Sequence, residues 1–218
     1  YMLETWEHES KMAFVKNPHH FDAKNVKIDR VEAVMVVEDS TAFAMYENGE
    51  LDVQAPPSAD LDRIKADPVL SKELYIAPNL CTYYYGFNVS KPPMDNVKLR
   101  LALSYAIDRQ KLIDTVLKGG QLPAKSFACP GIFGGVAEDP NFVGVSYDPA
   151  KAKQLLAESG YTGNPPITLM FNTSEGHKNI AEFVQQSWKD TLGLDIQLAN
   201  QEWAVYLKTV NEDAPDTV

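Results

Sequence analysis

Cysteine is scarce in this sequence. The two that occur, Cys81 and Cys129, are far apart and form no Cys-x-x-Cys pair, which excludes a small disulfide-built scaffold and the usual zinc arrangements. No run approaches the roughly 18 consecutive apolar residues that a membrane-spanning helix needs. Positive charge is also in deficit: 20 Lys and Arg against 30 Asp and Glu give a formal net charge of −10. The acids are dispersed, which favours solubility, and no basic stripe with interleaved aromatics is present to meet phosphates, so no nucleic-acid partner is expected. No segment reads as a signal peptide. Tyr1 to Trp6 read as the middle of a strand, and Asp213 to Val218 stop without a packed terminus. The sequence is therefore expected to be an excerpt of a longer protein.

The signatures of common chemistries are missing as well. Gly119-Gly120 and Gly131 to Gly135 lack the lysine and spacing of a phosphate-binding loop or a dinucleotide turn and read as loop glycines. His19, His20 and Asp22 could suggest a metal site, but adjacent histidines point apart in a strand and share no face in a helix, so an exposed turn is the simpler reading. No Gly-x-Ser-x-Gly elbow supports a hydrolytic triad. A Cys81–Cys129 bridge is open by count alone, because sequence cannot set the separation of the two. These readings predict no metal, no cofactor and no enzymatic activity.

Fourteen prolines and ten tyrosines imply many turns and a surface that presents aromatics. Tyr1–Trp6 and Met12–Val15 read as a hairpin, and Ile28 to Val37 as a strand entering a core. Asp39 and Ser58 are expected to cap short helices, Leu61 and Ile64 to share one buried face, and Leu51–Val53 and Leu74–Ile76 to be strands. Thr82 to Asn88 is expected to be extended, which would send Tyr83, Tyr84 and Tyr85 alternately to opposite faces. Asn96 and Asp108 are expected to start helices with Leu99, Leu103, Ala106, Leu112, Ile113 and Val116 inward, the second stopping at Gly119-Gly120. Residues 121 to 147 read as irregular. Asp148-Pro149 is a strong helix start, with Gly160 as the stop. From Ile167 onward the order is strand, helix, strand, helix: Ile167–Phe171, then 177–192 with Ile180, Val184, Ser187 and Trp188 near one face, then Leu194–Leu198, then a face made by Trp203, Tyr206, Leu207 and Val210. That alternation predicts a βαβ unit with a partly parallel sheet.

Several stretches resemble the oligopeptide-binding branch of the family 5 extracellular solute-binding proteins, which serve ABC importers. They are Asn17-Pro18 with Asn48 to Asp52, Leu80 to Asn88, Pro92 to Arg100 followed by Ala106 to Arg109, Ala152 to Tyr161, Phe171 to Ser174 with His177-Lys178, and Asn200 to Trp203. Each is weak alone, but the ordered set covers essentially the whole chain. The resemblance implies an α/β architecture: a type II periplasmic-binding-protein lobe with a mixed sheet, plus part of the first lobe. Residues 1–80 would belong to the first lobe and 81–218 to the second, truncated at its C-terminal end. It also implies a monomeric, non-enzymatic carrier, periplasmic or lipid-anchored outside the cell. Such a carrier closes by a hinge on an extended oligopeptide, reads mainly its main chain, and hands it to membrane permease subunits. Roomy, hydrated pockets would tolerate varied side chains.

Carried over residue by residue, Tyr84 and Tyr85 match positions near the peptide. Asn172 and His177 match positions lining side-chain pockets, the imidazole being suited to a carboxylate or a water. Three departures bear on specificity. Gly86 stands where relatives carry an acidic pocket residue. Leu117 replaces a lysine able to meet the ligand's terminal carboxylate, with Lys118 next to it. The aspartate that grips the peptide's amino group would lie beyond Val218, together with the family's partner for Cys81, so Cys81 is expected to be unpaired. A dipeptide, a murein peptide, or a nickel or haem complex are alternative ligands within the same architecture; a hydrolase or a structural interaction module are the rivals from other classes.

Overall fold

In Met2–Glu7 (β1) and Lys11–Val15 (β2), β-branched and aromatic residues flank the polar turn His8–Ser10, and the two segments pair antiparallel. Arg30–Val34 (β3) adds antiparallel on the other side of β2, giving the order β1-β2-β3 with Phe14 opposite Val31. This computed structural model describes residues 1–212. It divides the chain into two compact units, Tyr1–Pro56 and Pro57–Val218. The first holds the three-stranded sheet, a single 3-10 turn at Ala23–Asn25 and one α-helix, Asp39–Glu47 (α1), whose Ala42 and Phe43 are buried.

The second unit begins with two short helices, Leu61–Ala66 (α2) and Leu70–Glu73 (α3), with Leu61 and Ile64 buried as their spacing predicts. Next come Val97–Tyr105 (α4) and Arg109–Leu112 (α5), the latter running into a wider π-type turn at Ile113–Leu117. Pro149–Ser159 (α6) packs against α4. The parallel pair follows: Thr168–Asn172 (β4), Glu175–Leu192 (α7), Gln197–Gln201 (β5), and then Trp203–Glu212 (α8). Leu169, Met170 and Phe171 are all buried, as expected of a parallel strand covered on both faces. Leu99, Leu103, Ala152, Ile167, Leu169, Val184 and Trp188 make the centre of one apolar core.

α4 and α6 are tied together at both ends. The Asn96 carboxamide oxygen accepts from the backbone N–H groups of Lys98 and Leu99, capping α4, while its Nδ2 donates to the Ser159 carbonyl at 2.9 Å. At the opposite end the Asp148 N–H donates to the Tyr105 carbonyl at 2.9 Å. Two more carbonyls in the last turn of α4 find side-chain donors. Trp188 Nε1 donates to Leu103 O at 2.9 Å, and Arg109 Nη1 donates to Ser104 O at 3.1 Å. Asn96→Ala should therefore cost about 1–2 kcal/mol, read as a lower denaturation midpoint. Asn96→Asp keeps the cap and loses only the link to α6, so it should fall between the two.

Several expectations need correction. Leu51–Val53, Leu74–Ile76 and Thr82–Asn88 form no strand, because none of them finds a ladder partner among the described residues. Asp39 is the first residue of α1, and no side chain caps that helix. The α5 segment stops at Lys118, which takes the left-handed conformation (φ 55°), one residue before the glycines. The last strand is displaced to Gln197–Gln201, because Leu194 and Ile196 are buried in the run leading into it and Gln185 Nε2 donates to Ile196 O. Both cysteines are free. The expectation about Asp213–Val218 falls outside the described residues.

Candidate functional site

The site is built around the C-terminal ends of β4 and β5, where backbone polar groups and loops emerge from a parallel pair. Ser174 caps α7, its Oγ accepting from the His177 N–H at 3.4 Å, and this holds His177 in the first helical turn five residues beyond Asn172. Asn172 is half-buried at the last position of β4 and stands opposite Gln201 of β5 in the ladder. The following turn is fixed by Thr173, whose N–H donates to Gln201 O at 2.8 Å and whose Oγ1 accepts from Asn200 Nδ2 at 3.0 Å. The Gln201 Oε1 atom is buried and has no hydrogen-bond partner among the described residues.

The segment Thr82–Asn88 approaches this corner. Tyr83 Oη lies 2.9 Å from His177 Nδ1, and the two rings sit at a centroid distance of 5.5 Å. Tyr85 meets Tyr83 edge-on at 5.7 Å. Tyr84 turns the other way and packs edge-on against Phe127 at 5.1 Å. The alternation expected of an extended segment therefore holds although no ladder forms: Tyr83 and Tyr85 share a face, and Tyr84 takes the opposite one. Of the candidate residues, the structure joins His177 to the tyrosine segment through Tyr83, which the sequence reading had not selected. Tyr84 meets Phe127 instead, and among the described residues no hydrogen bond or ring contact joins Asn172 to the tyrosines.

Electrostatics mark the same corner. Burial pushes the Tyr85 phenol far above its ordinary value, and the neighbouring Tyr83 and Tyr206 add to the effect. Its hydroxyl oxygen is buried and makes no hydrogen bond of good geometry among the described residues. The Tyr83 hydroxyl is close enough to interact with it electrostatically but meets His177 instead. Tyr83 itself is half exposed, yet partial burial of its hydroxyl end raises that phenol too. Both hydroxyls stay protonated across the physiological range. Two unpartnered buried oxygens, Tyr85 Oη and Gln201 Oε1, are the kind of unmet hydrogen-bonding capacity that a polar guest or bound water satisfies.

A cleft of about 510 Å³ runs along the segment, and Tyr83, Tyr84 and Tyr85 all line it. It is lined mainly by aliphatic and aromatic side chains, including Tyr84, Phe127, Leu117 and Trp188, with Arg109 at its wall. Burial lowers the pKa of Arg109, whose guanidinium is used on the carbonyls of Ser104 and Ile107. Neither Asn172 nor His177 lines this cleft. No three His, Cys, Asp or Glu side chains gather as a metal site among the described residues, and no described helix is long and apolar enough to cross a membrane.

The family model described as bacterial extracellular solute-binding proteins, family 5 Middle, matches residues 1–218. The chain belongs to this family. It is 31% identical over 222 residues to the periplasmic oligopeptide-binding protein OppA of Escherichia coli K12, a match spanning 99% of this chain and 40% of that protein. The solved structure of the E. coli murein tripeptide binding protein MppA superposes with a TM-score of 0.86 at 33% identity, over 97% of this chain and 42% of that one. Haemophilus influenzae OppA, crystallised in complex with the peptide RPPGFSPFR, gives 0.81 at 30% identity, over 96% and 42%. The chain thus spans about two-fifths of the length of the relatives it matches. As a family 5 chain it has the α/β architecture of a type II periplasmic-binding-protein lobe, with the mixed strand directions expected.

Proposed function

We propose that this protein is the extracytoplasmic solute-binding component of an ABC importer, and that it holds oligopeptides mainly through their main chain before passing them to membrane permease subunits. In this reading it is a carrier and performs no catalysis. It works as a monomer, periplasmic or anchored to the outer face of the membrane. Residues 1–80 belong to the first lobe and 81–218 to the second. Tyr84, Tyr85, Asn172 and His177 contribute to the second lobe's wall, and Tyr83 joins them. Family membership and the peptide-binding names of the relatives support the ligand class.

The single observation that carries the site is the 2.9 Å contact between Tyr83 and His177, which draws the tyrosine segment to the start of α7 at the mouth of the parallel strands. Donors and acceptors gathered there, with two oxygens left over, suit an extended guest whose backbone offers the same groups whatever its sequence. The test is mass spectrometry of ligand released from the full-length protein purified under native conditions, followed by calorimetry with the species found. Mixed short peptides are the expected cargo. A haem or nickel complex, or a single murein peptide, would redirect the assignment within the family.

A further inference from the structure

His177 carries two ring nitrogens, and only one is engaged. Nδ1 is met by Tyr83 Oη at 2.9 Å, and Nε2 makes no hydrogen bond among the described residues. A neutral imidazole has one N–H and one lone pair, and the hydrogen bond made by one nitrogen dictates the role of the other. The direction of the Tyr83–His177 bond therefore decides what His177 can offer a guest.

Two observations bear on that direction. Tyr83 keeps its proton, because its hydroxyl is partly buried with no cation beside it. That proton needs an acceptor, and the nearby Tyr85 oxygen does not serve, since it forms no hydrogen bond of good geometry. A phenol is the stronger donor of the two groups and an imidazole lone pair the stronger acceptor, so the arrangement that matches them has Tyr83 O–H donating to Nδ1. The packing supports it: Tyr83 is held by the edge-on contact with Tyr85, and His177 by its place in the first turn of the Ser174-capped helix.

We propose that Tyr83 is a positioning residue that fixes His177 in the tautomer protonated at Nε2, making this corner of the wall a donor for carbonyl or carboxylate oxygens of the guest and a poor partner for its amino groups. The inference rests on the peptide-binding reading for its consequence, but the tautomer itself does not depend on a ligand.

The experiment uses the full-length protein with 15N-labelled histidine, wild type and Tyr83→Phe, the latter retaining the ring contact with Tyr85. One arm reads which His177 nitrogen bears the proton from the 15N–1H correlation pattern of the ligand-free protein. The other arm measures affinity for tetraalanine in both proteins and in a His177→Phe background. The proton is expected on Nε2 in the wild type and distributed between the Nδ1–H and Nε2–H neutral tautomers in Tyr83→Phe. Affinity should fall by about three- to tenfold, in line with one lost hydrogen bond, with the unfolding midpoint unchanged. In the His177→Phe background the same substitution should cause no further loss. A wild-type proton on Nδ1, a tautomer indifferent to Tyr83→Phe, or an affinity loss that persists without His177 would each overturn the proposal. Failure of the wild type to bind tetraalanine would count against the peptide-binding reading, while the tautomer arm would still decide this one.

Discussion

Replacing Trp188 with alanine is expected to remove about 3–5 kcal/mol of stability, the cost of emptying a large buried aromatic site. The indole is 1% exposed and sits in the core made by α4, α6, α7 and β4. It has a second task, because its Nε1–H donates to Leu103 O, a carbonyl in the last turn of α4 with no partner inside the helix. Trp188→Phe separates the two contributions. Most of the volume stays while the carbonyl loses its donor, so a loss of about 1–3 kcal/mol is expected. At this chain length each kcal/mol lowers the melting temperature by about 2–4 °C, so the alanine variant should melt about 6–20 °C below the wild type. Urea unfolding followed by circular dichroism gives both numbers. A loss under about 1 kcal/mol for Trp188→Ala would mean that α4 and α7 are not joined as described.

The second half of the chain was more legible than the first because its signals are local and redundant. Asn96, Asp108 and Asp148 each cap the helix that their position announces, and Gly160 and Gly193 end theirs with φ of 71°. The apolar stripe Ile180, Val184, Trp188 is buried as its spacing requires. Strands were harder, since a strand exists only where a partner lies alongside, and partners come from distant sequence. Leu74–Ile76 and Thr82–Asn88 have strand-like composition, yet no ladder forms there among the described residues. The three-residue displacement of the last strand has the same origin. Leu194 and Ile196 look like strand residues because they are apolar, but burial rather than pairing accounts for them.

The candidate site was partly legible, and the reason lies in one geometric fact. In an extended segment, residues i and i+2 share a face, so Tyr83 belongs with Tyr85 and Tyr84 stands apart. The resemblance selected the neighbours Tyr84 and Tyr85, which that geometry separates. Alternation alone, applied to Tyr83–Tyr85, was enough to pair the first with the third. What no sequence pattern could supply is the contact of Tyr83 with His177, 94 positions away, or the unmet oxygens of Tyr85 and Gln201. Those depend on how the segment lies against the β4–α7 turn.

The 218-residue chain by itself is expected to bind oligopeptides no more tightly than about 100 μM, near −5.5 kcal/mol, while the full-length protein binds the same peptide at least a hundredfold better. The reasoning starts from what one wall can supply. A hydrogen bond to a peptide main chain that stays open to water nets only about 0.5–1.5 kcal/mol. Association costs about 4–15 kcal/mol in lost freedom before any gain appears, so about five such bonds on one surface barely offset it. In the proposed two-lobed carrier, closure of the facing lobe would change both sides of the balance. It doubles the wall, excludes the competing water and strengthens each bond by lowering the local dielectric. Gly86 and Leu117 carry no charge with which to hold a peptide electrostatically from this side alone. Calorimetry of tetraalanine against both proteins, with circular dichroism to show that the shorter one is folded, makes the comparison. Binding by the 218-residue chain within tenfold of the full-length protein would mean that this wall is a complete site, and that hinge closure contributes little to holding the guest.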